Sequence, residues 1–166
     1  MTHFNKVLVY TERITPRLTY IFDFILGDIL GLVYEFTTDK PKFIQYTEPK
    51  FSYASHPLSD EIFYESDVFL FNKDIHPQPI NFCEHGELSG FYPVSARSRV
   101  TFDIFASAFF MLTRYEEYLP GKKDKYDRYR GKESMNFKAG FLEKPMIDFY
   151  AQEIREALRE RFTALE

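Results

Sequence analysis

Residues 6–37 read KVLVYTERITPRLTYIFDFILGDILGLVYEFT, and this stretch decides the fold. Lys6–Thr11 is short, apolar and rich in β-formers, as a buried strand requires. Thr15 is a good N-cap, and Pro16 suits the first helical position. Leu18, Ile21, Phe22, Ile25, Leu26 and Ile29 then recur at helical spacing and give one apolar face. Gly27 weakens the helix interior by up to about 1 kcal/mol relative to alanine. Gly31 suits the C-terminal cap. Leu32–Thr37 (LVYEFT) reads as a second strand. Strand, helix and strand in so short a stretch make a βαβ unit, whose crossover is right-handed and whose strands are parallel.

In such a sheet a nucleotide site belongs at the first strand–helix turn. Here that turn is Thr11-Glu12-Arg13-Ile14-Thr15. It has no glycine to let backbone wrap a phosphate, and Glu12 would repel one. An ordinary connection is expected; the competing reading is an anion pocket made by Arg13 and the helix N-terminus.

Downstream, Asp39–Pro49 is polar and holds two prolines, so a loop or short irregular helix is expected. Lys50–Tyr92 contains the short β-like runs KFSYAS, EIFYES, VFLFN, INFCEH and ELSGFYP, separated by Pro57, Pro77, Pro79 and Gly86. That spacing suggests an antiparallel sheet or meander, with registers left open by imperfect alternation. Ser95–Arg99 reads as a polar linker. From Asp103 to Leu119 the helical signal is strong, and its first half is apolar on most sides. Pro120-Gly121 stops that helix, and GKKDKYDRYRGKES forms a charged loop. A last helix starts near Pro145, where Met146, Ile147, Tyr150, Ile154, Ala157, Leu158 and Phe162 share one face. The expected architecture is α/β, or α+β. It has an opening βαβ unit, a mixed sheet with a middle run of short strands, and two C-terminal helices packed on the sheet. Residues 1–166 are expected to form one domain, the N-terminal part of a longer protein.

Composition excludes several classes. Apolar residues make up 45% of the 166 and charged ones 28%, which fits a globular chain and not a disordered one. The net charge of −4 offers no basic footprint for nucleic acid. Cys83 is the single cysteine, so no disulfide framework exists. The N-terminal apolar run is too short for a signal peptide, and no run approaches the roughly 20 residues of a membrane span. A cytoplasmic chain with no membrane contact is expected. The 19 phenylalanines and 12 tyrosines imply a Phe-built core. The competing reading is a tyrosine-bearing ligand surface that stacks on sugars or bases.

No metal and no cofactor is expected. His3, His56, His76 and His85 are scattered, with no pair at ligand spacing. Cys83-Glu84-His85 sets three ligand types in a row, but strand neighbours point to opposite faces. Cys83 as a nucleophile would need an oriented histidine partner; a structural thiol is the plainer reading. The densest polar cluster follows the central helix: Arg114, Glu116, Glu117, Asp124, Asp127, Arg128, Arg130 and Glu133 interleave with Tyr115, Tyr118, Tyr126 and Tyr129. Two of these carboxylates could pair for acid–base work or a hard cation. Tyr and Arg together could hold a sugar. The plain alternative is a solvated helix end whose ion pairs contribute about 0–1 kcal/mol each. Arg114, Tyr115, Glu116, Glu117, Tyr118, Asp127, Arg128 and Tyr129 are therefore the candidate ligand or docking surface.

The segments Phe102-Asp103-Ile104-Phe105-Ala106-Ser107, Leu112-Thr113-Arg114-Tyr115-Glu116-Glu117-Tyr118, the opening VLVYTERITPRLTYIF, Asp127-Arg128-Tyr129, Glu133-Ser134 and Gly140–Asp148 carry a family resemblance. Over nearly its whole length the chain resembles an uncharacterised bacterial domain. That domain is usually the N-terminal part of larger proteins whose C-terminal part looks like a polysaccharide deacetylase. The resemblance implies a non-catalytic accessory domain that positions carbohydrate or docks a C-terminal catalytic domain of the same chain. The deacetylase signature itself is a Thr-Phe-Asp-Asp strand end with a His-x-x-x-His pair that holds a metal and activates water. This chain has Thr101-Phe102-Asp103-Ile104, one aspartate short, and no His-x-x-x-His. Asp103 reads better as the start of a helix. The alternatives from other classes are an enzyme built on the carboxylate/Arg cluster and a protein-interaction module.

Overall fold

The computed structural model describes residues 6–72, 81–113 and 146–162. Strands β1 (Lys6–Thr11), β2 (Val33–Thr37), β3 (Lys50–Ala54) and β4 (Phe63–Glu65) form one sheet in the order β2-β1-β3-β4. All its pairings are parallel. Strands β5 (Cys83–His85) and β6 (Leu88–Gly90) form a separate antiparallel hairpin. The helices are α1 (Pro16–Phe22), α2 (Lys40–Gln45), α3 (Ile104–Leu112) and α4 (Met146–Arg161).

The opening βαβ unit is present as the sequence predicts. Thr15 caps α1, its hydroxyl accepting from Leu18 N–H at 3.2 Å. Beyond Phe22 the helix widens into a π-helical stretch over Asp23–Ile29, a feature the 3.6-residue periodicity does not reveal. Its end is closed by Leu30 N–H on Ile25 O at 3.1 Å and Leu32 N–H on Leu26 O at 2.8 Å. Gly31, at φ +67°, makes the left-handed turn that sends the chain into β2.

The middle of the chain departs from the expected meander. β3 and β4 join β1 in the parallel sheet. The reason is burial on both faces: β3 is buried from Phe51 through Ala54, so its sequence carries no polar/apolar alternation. The run VFLFN supplies a 3₁₀ turn, Phe69–Phe71. INFCEH and ELSGFYP supply the hairpin, which turns at Gly86, φ +60°.

The two faces of the sheet are covered unequally. On one, Val7, Val9, Phe51 and Tyr53 meet Leu18, Ile21, Phe22 and Ile25 from the opening helix. Phe105 of α3 lies on top, stacked on Phe22 at 4.2 Å and edge-on to Tyr53 at 5.1 Å. α4 adds Tyr150 and Ile154 to the same core. On the other face, Leu8, Tyr10, Ala54 and Phe63 pack under Phe43 of α2. Phenylalanine supplies most of the largest fully buried side chains, as composition suggests.

Candidate functional site

A sheet ordered β2-β1-β3-β4 changes winding direction between β1 and β3. In α/β folds, ligands enter the crevice outside the carboxyl ends of such a strand pair. Here the crevice is laced by protein groups. Glu12, just past β1, accepts from the Ser55 N–H at 3.0 Å and its hydroxyl at 2.7 Å, just past β3. Next to it, Arg97 stands 3.5 Å from Glu65 and 3.4 Å from His56 Nδ1. The Ser95 hydroxyl also donates to Glu65. The turn that could have held an anion is built as an ordinary connection. Arg13 donates to Phe71 O, and the Thr15 hydroxyl donates to Leu70 O at 2.6 Å.

Beneath this edge lies a buried polar hub. Asp103 caps α3, with Oδ1 accepting from Ala106 N–H at 2.9 Å. Its Oδ2 accepts from the Tyr53 hydroxyl at 2.5 Å and from Asp67 N–H at 2.7 Å. Burial pushes the Asp103 carboxyl up to about 7, against the pull of these three donors. Burial also raises Asp67, and it holds Tyr53 well above the ordinary phenol range. Thr11 pairs in register with Tyr53, and its fully buried hydroxyl has no hydrogen-bond partner among the described residues.

A second polar bridge ties α4 to the sheet. Glu153 accepts from the Tyr64 hydroxyl at 2.6 Å and from Arg99 Nε at 2.9 Å. Two shallow clefts flank α4: one of about 240 Å³ beside Lys50, Asp60 and Arg161, and one of about 270 Å³ beside Glu87, Phe149 and Glu156.

The structure distributes the candidates from sequence as follows. Arg114, Tyr115, Glu116, Glu117, Tyr118, Asp127, Arg128 and Tyr129 lie outside the described residues, as do Asp124, Arg130, His3 and His76. Cys83 sits on β5, its thiol donating to Asn81 O and raised by burial. His85 Nδ1 faces Thr101, 3.3 Å from its hydroxyl. Among the described residues no three His, Cys, Asp or Glu side chains gather to hold a metal ion. No helix among them is long and apolar enough to cross a membrane.

The match to a family covers residues 7–163. The chain belongs to DUF7033, a family of unknown function. No curated protein and no solved structure matches the chain. The DUF7033 match thus covers all but the first of the described residues and leaves its activity open. The Asp103–Tyr53 hub was only half legible in the sequence. The N-cap role of Asp103 follows from the apolar helix after it, whereas Tyr53 lies 50 residues away and carries no local signal.

Proposed function

We propose that this DUF7033 chain is a non-catalytic accessory domain of a polysaccharide deacetylase-like protein, positioning carbohydrate or docking a catalytic domain of the same protein. The family match names no activity, so the deacetylase link rests on the sequence motifs that resemble such N-terminal domains. The observation that carries the non-catalytic part is Asp103. It lies in the one segment that echoes the metal-binding Thr-Phe-Asp-Asp of deacetylases. Yet it is 1% exposed, and both its oxygens accept hydrogen bonds that fasten α3 to the sheet. A carboxylate so engaged is a structural cap and not an open metal ligand. Glu12, Glu65 and Glu153 are likewise engaged in joining elements.

The test has two arms. The purified 166-residue chain, incubated with an acetylated glycan and a divalent metal, is expected to release no acetate; release above background would overturn the non-catalytic reading. Reading the gene beyond the codon for Glu166 is expected to reveal a Thr-Phe-Asp-Asp strand end and a His-x-x-x-His pair. Their absence would remove the deacetylase link.

A further inference from the structure

The cleft of about 240 Å³ beside the end of α4 is lined by two cations from distant parts of the chain. Lys50 comes from the start of β3 and Arg161 from the last turn of α4. Each has a structural task that uses only part of its donor set. Lys50 Nζ donates to Phe43 O at 2.7 Å and to Ile44 O at 3.2 Å, carbonyls in the last turn of α2. It also lies over the Phe43 ring at 4.7 Å. An ammonium has three N–H groups, so the two carbonyls take two of them. Arg161 donates through Nη2 to Asp60 O at 2.6 Å, and the same nitrogen stands 3.5 Å from the Asp60 carboxylate. That is one arm of a five-donor fork.

The two acids of the lining are turned to other partners. Glu61 Oε2 accepts from the Ser52 hydroxyl at 2.7 Å and from Leu58 N–H at 2.9 Å, and Oε1 accepts from Ser59 N–H at 2.7 Å. The Asp60 side chain is 95% exposed and stands in water. The rest of the wall is apolar: Ile44 on α2, half exposed, Ile62 just before β4, and Phe162 just after α4. We infer that this cleft is a binding site for a small carboxylate with a short apolar body, its oxygens held between Lys50 and Arg161 and its body laid against Ile44, Ile62 and Phe162.

The chemistry of the lining selects that class. The two oxygens of a carboxylate match an ammonium on one side and a guanidinium on the other, and such charge-assisted bonds are about twice as strong as neutral ones. Lys50, Arg161, Asp60 and Glu61 carry balanced charge, so the cleft draws no anion by a long-range field. Recognition rests on contact, and an apolar body that covers Ile44 adds what a bare anion lacks. The cleft lies at the amino ends of β3 and β4, on the opposite edge of the sheet from the β1–β3 crevice. What it binds bears on neither arm of the deacetylase test.

Titration of the whole 166-residue chain with sodium hexanoate, followed by amide- and methyl-detected NMR, tests the site. Saturable shifts at Ile44 and Ile62 with a millimolar dissociation constant are expected, together with intermolecular Overhauser contacts from the hexanoate chain to these methyls and to the Phe162 ring. Acetate, inorganic phosphate and hexanol are expected to bind about tenfold more weakly or worse. Arg161→Gln changes a half-exposed side chain and is expected to weaken hexanoate about tenfold while the rest of the amide spectrum stays in place. Overhauser contacts that map elsewhere, or shifts that do not saturate, overturn the site. Hexanol or phosphate binding as tightly as hexanoate overturns the carboxylate assignment, and so does an Arg161→Gln chain with undiminished affinity. Should that variant fail to fold, the wild-type Overhauser contacts and the ranking of the four probes decide.

Discussion

A methyl group at position 90 has no room. Gly90 closes β6, and a β-carbon built there would lie 2.7 Å from both Phe102 Cδ2 and the Tyr150 hydroxyl, with Phe102 Cε2 nearer still. Neither ring can step aside cheaply. Phe102 is 1% exposed and Tyr150 fully buried, and their rings meet edge-on at 5.9 Å. The Tyr150 hydroxyl also donates to Ser89 O, the residue before the glycine. Gly90→Ala therefore forces the α4–hairpin contact apart. Overpacking of this kind costs about 1–3 kcal/mol, and loss of the Tyr150–Ser89 bond adds about 1 kcal/mol. Alanine recovers roughly 0.5–1 kcal/mol of strand entropy. The net expectation is a loss of about 1–3.5 kcal/mol, centred near 2, against a total stability of about 5–15 kcal/mol. With a urea m-value of about 1–3 kcal/mol/M, a loss of about 2 kcal/mol should lower the midpoint by about 0.7–2 M. Equilibrium urea unfolding measured by circular dichroism reads the shift directly. Phe102→Leu in the Gly90→Ala background should restore part of it, because the two positions share one contact. An unchanged midpoint in the single variant would refute the packing argument.

Three further outcomes test other parts of the fold. Thr11→Val removes the buried hydroxyl that lacks a partner, so stability should hold or rise by up to about 1 kcal/mol in urea unfolding. Glu153→Gln removes the charged acceptor of Tyr64 and leaves Arg99 with Glu160 alone, and should cost about 1–3 kcal/mol, read as a lower thermal midpoint. Glu35, held down to about 2 by Lys6 and Lys42, contributes stability above about pH 4 that is lost as pH falls through 2. Because the three side chains are exposed, Glu35→Gln should cost no more than about 1 kcal/mol at pH 7, and less in 1 M salt.

The features that could be read from sequence are those whose signals are local. Thr15, Pro16 and Gly31 punctuate the opening helix within a few residues of its ends, so the first βαβ unit was legible. β3 was legible as a strand but not in its direction. Both its faces are buried, and the parallel pairing comes from the path of α2 and the loop before β4, not from a pattern in KFSYA. VFLFN has strand composition, yet the carbonyls of its 3₁₀ turn are taken by Arg13, Thr15 and Arg17, residues more than 50 positions earlier. The same distance hid Tyr53 from Asp103. The tyrosine-rich cluster from Arg114 to Tyr129 falls outside the described residues, so its reading stands as it did from sequence.

The strand order also bears on synthesis. All four strands of the parallel sheet lie within residues 6–65, so its backbone pairing can be completed early as the chain emerges from a ribosome. The face bearing Val9, Phe51 and Tyr53 is sealed only when Phe105 and then α4, from Met146, arrive. At roughly 5–20 residues per second, the wait between β4 and α4 is on the order of 4–16 s. During it the part of that face that the opening helix leaves uncovered stays open to its surroundings, the kind of surface that chaperones bind and that associates with other nascent chains.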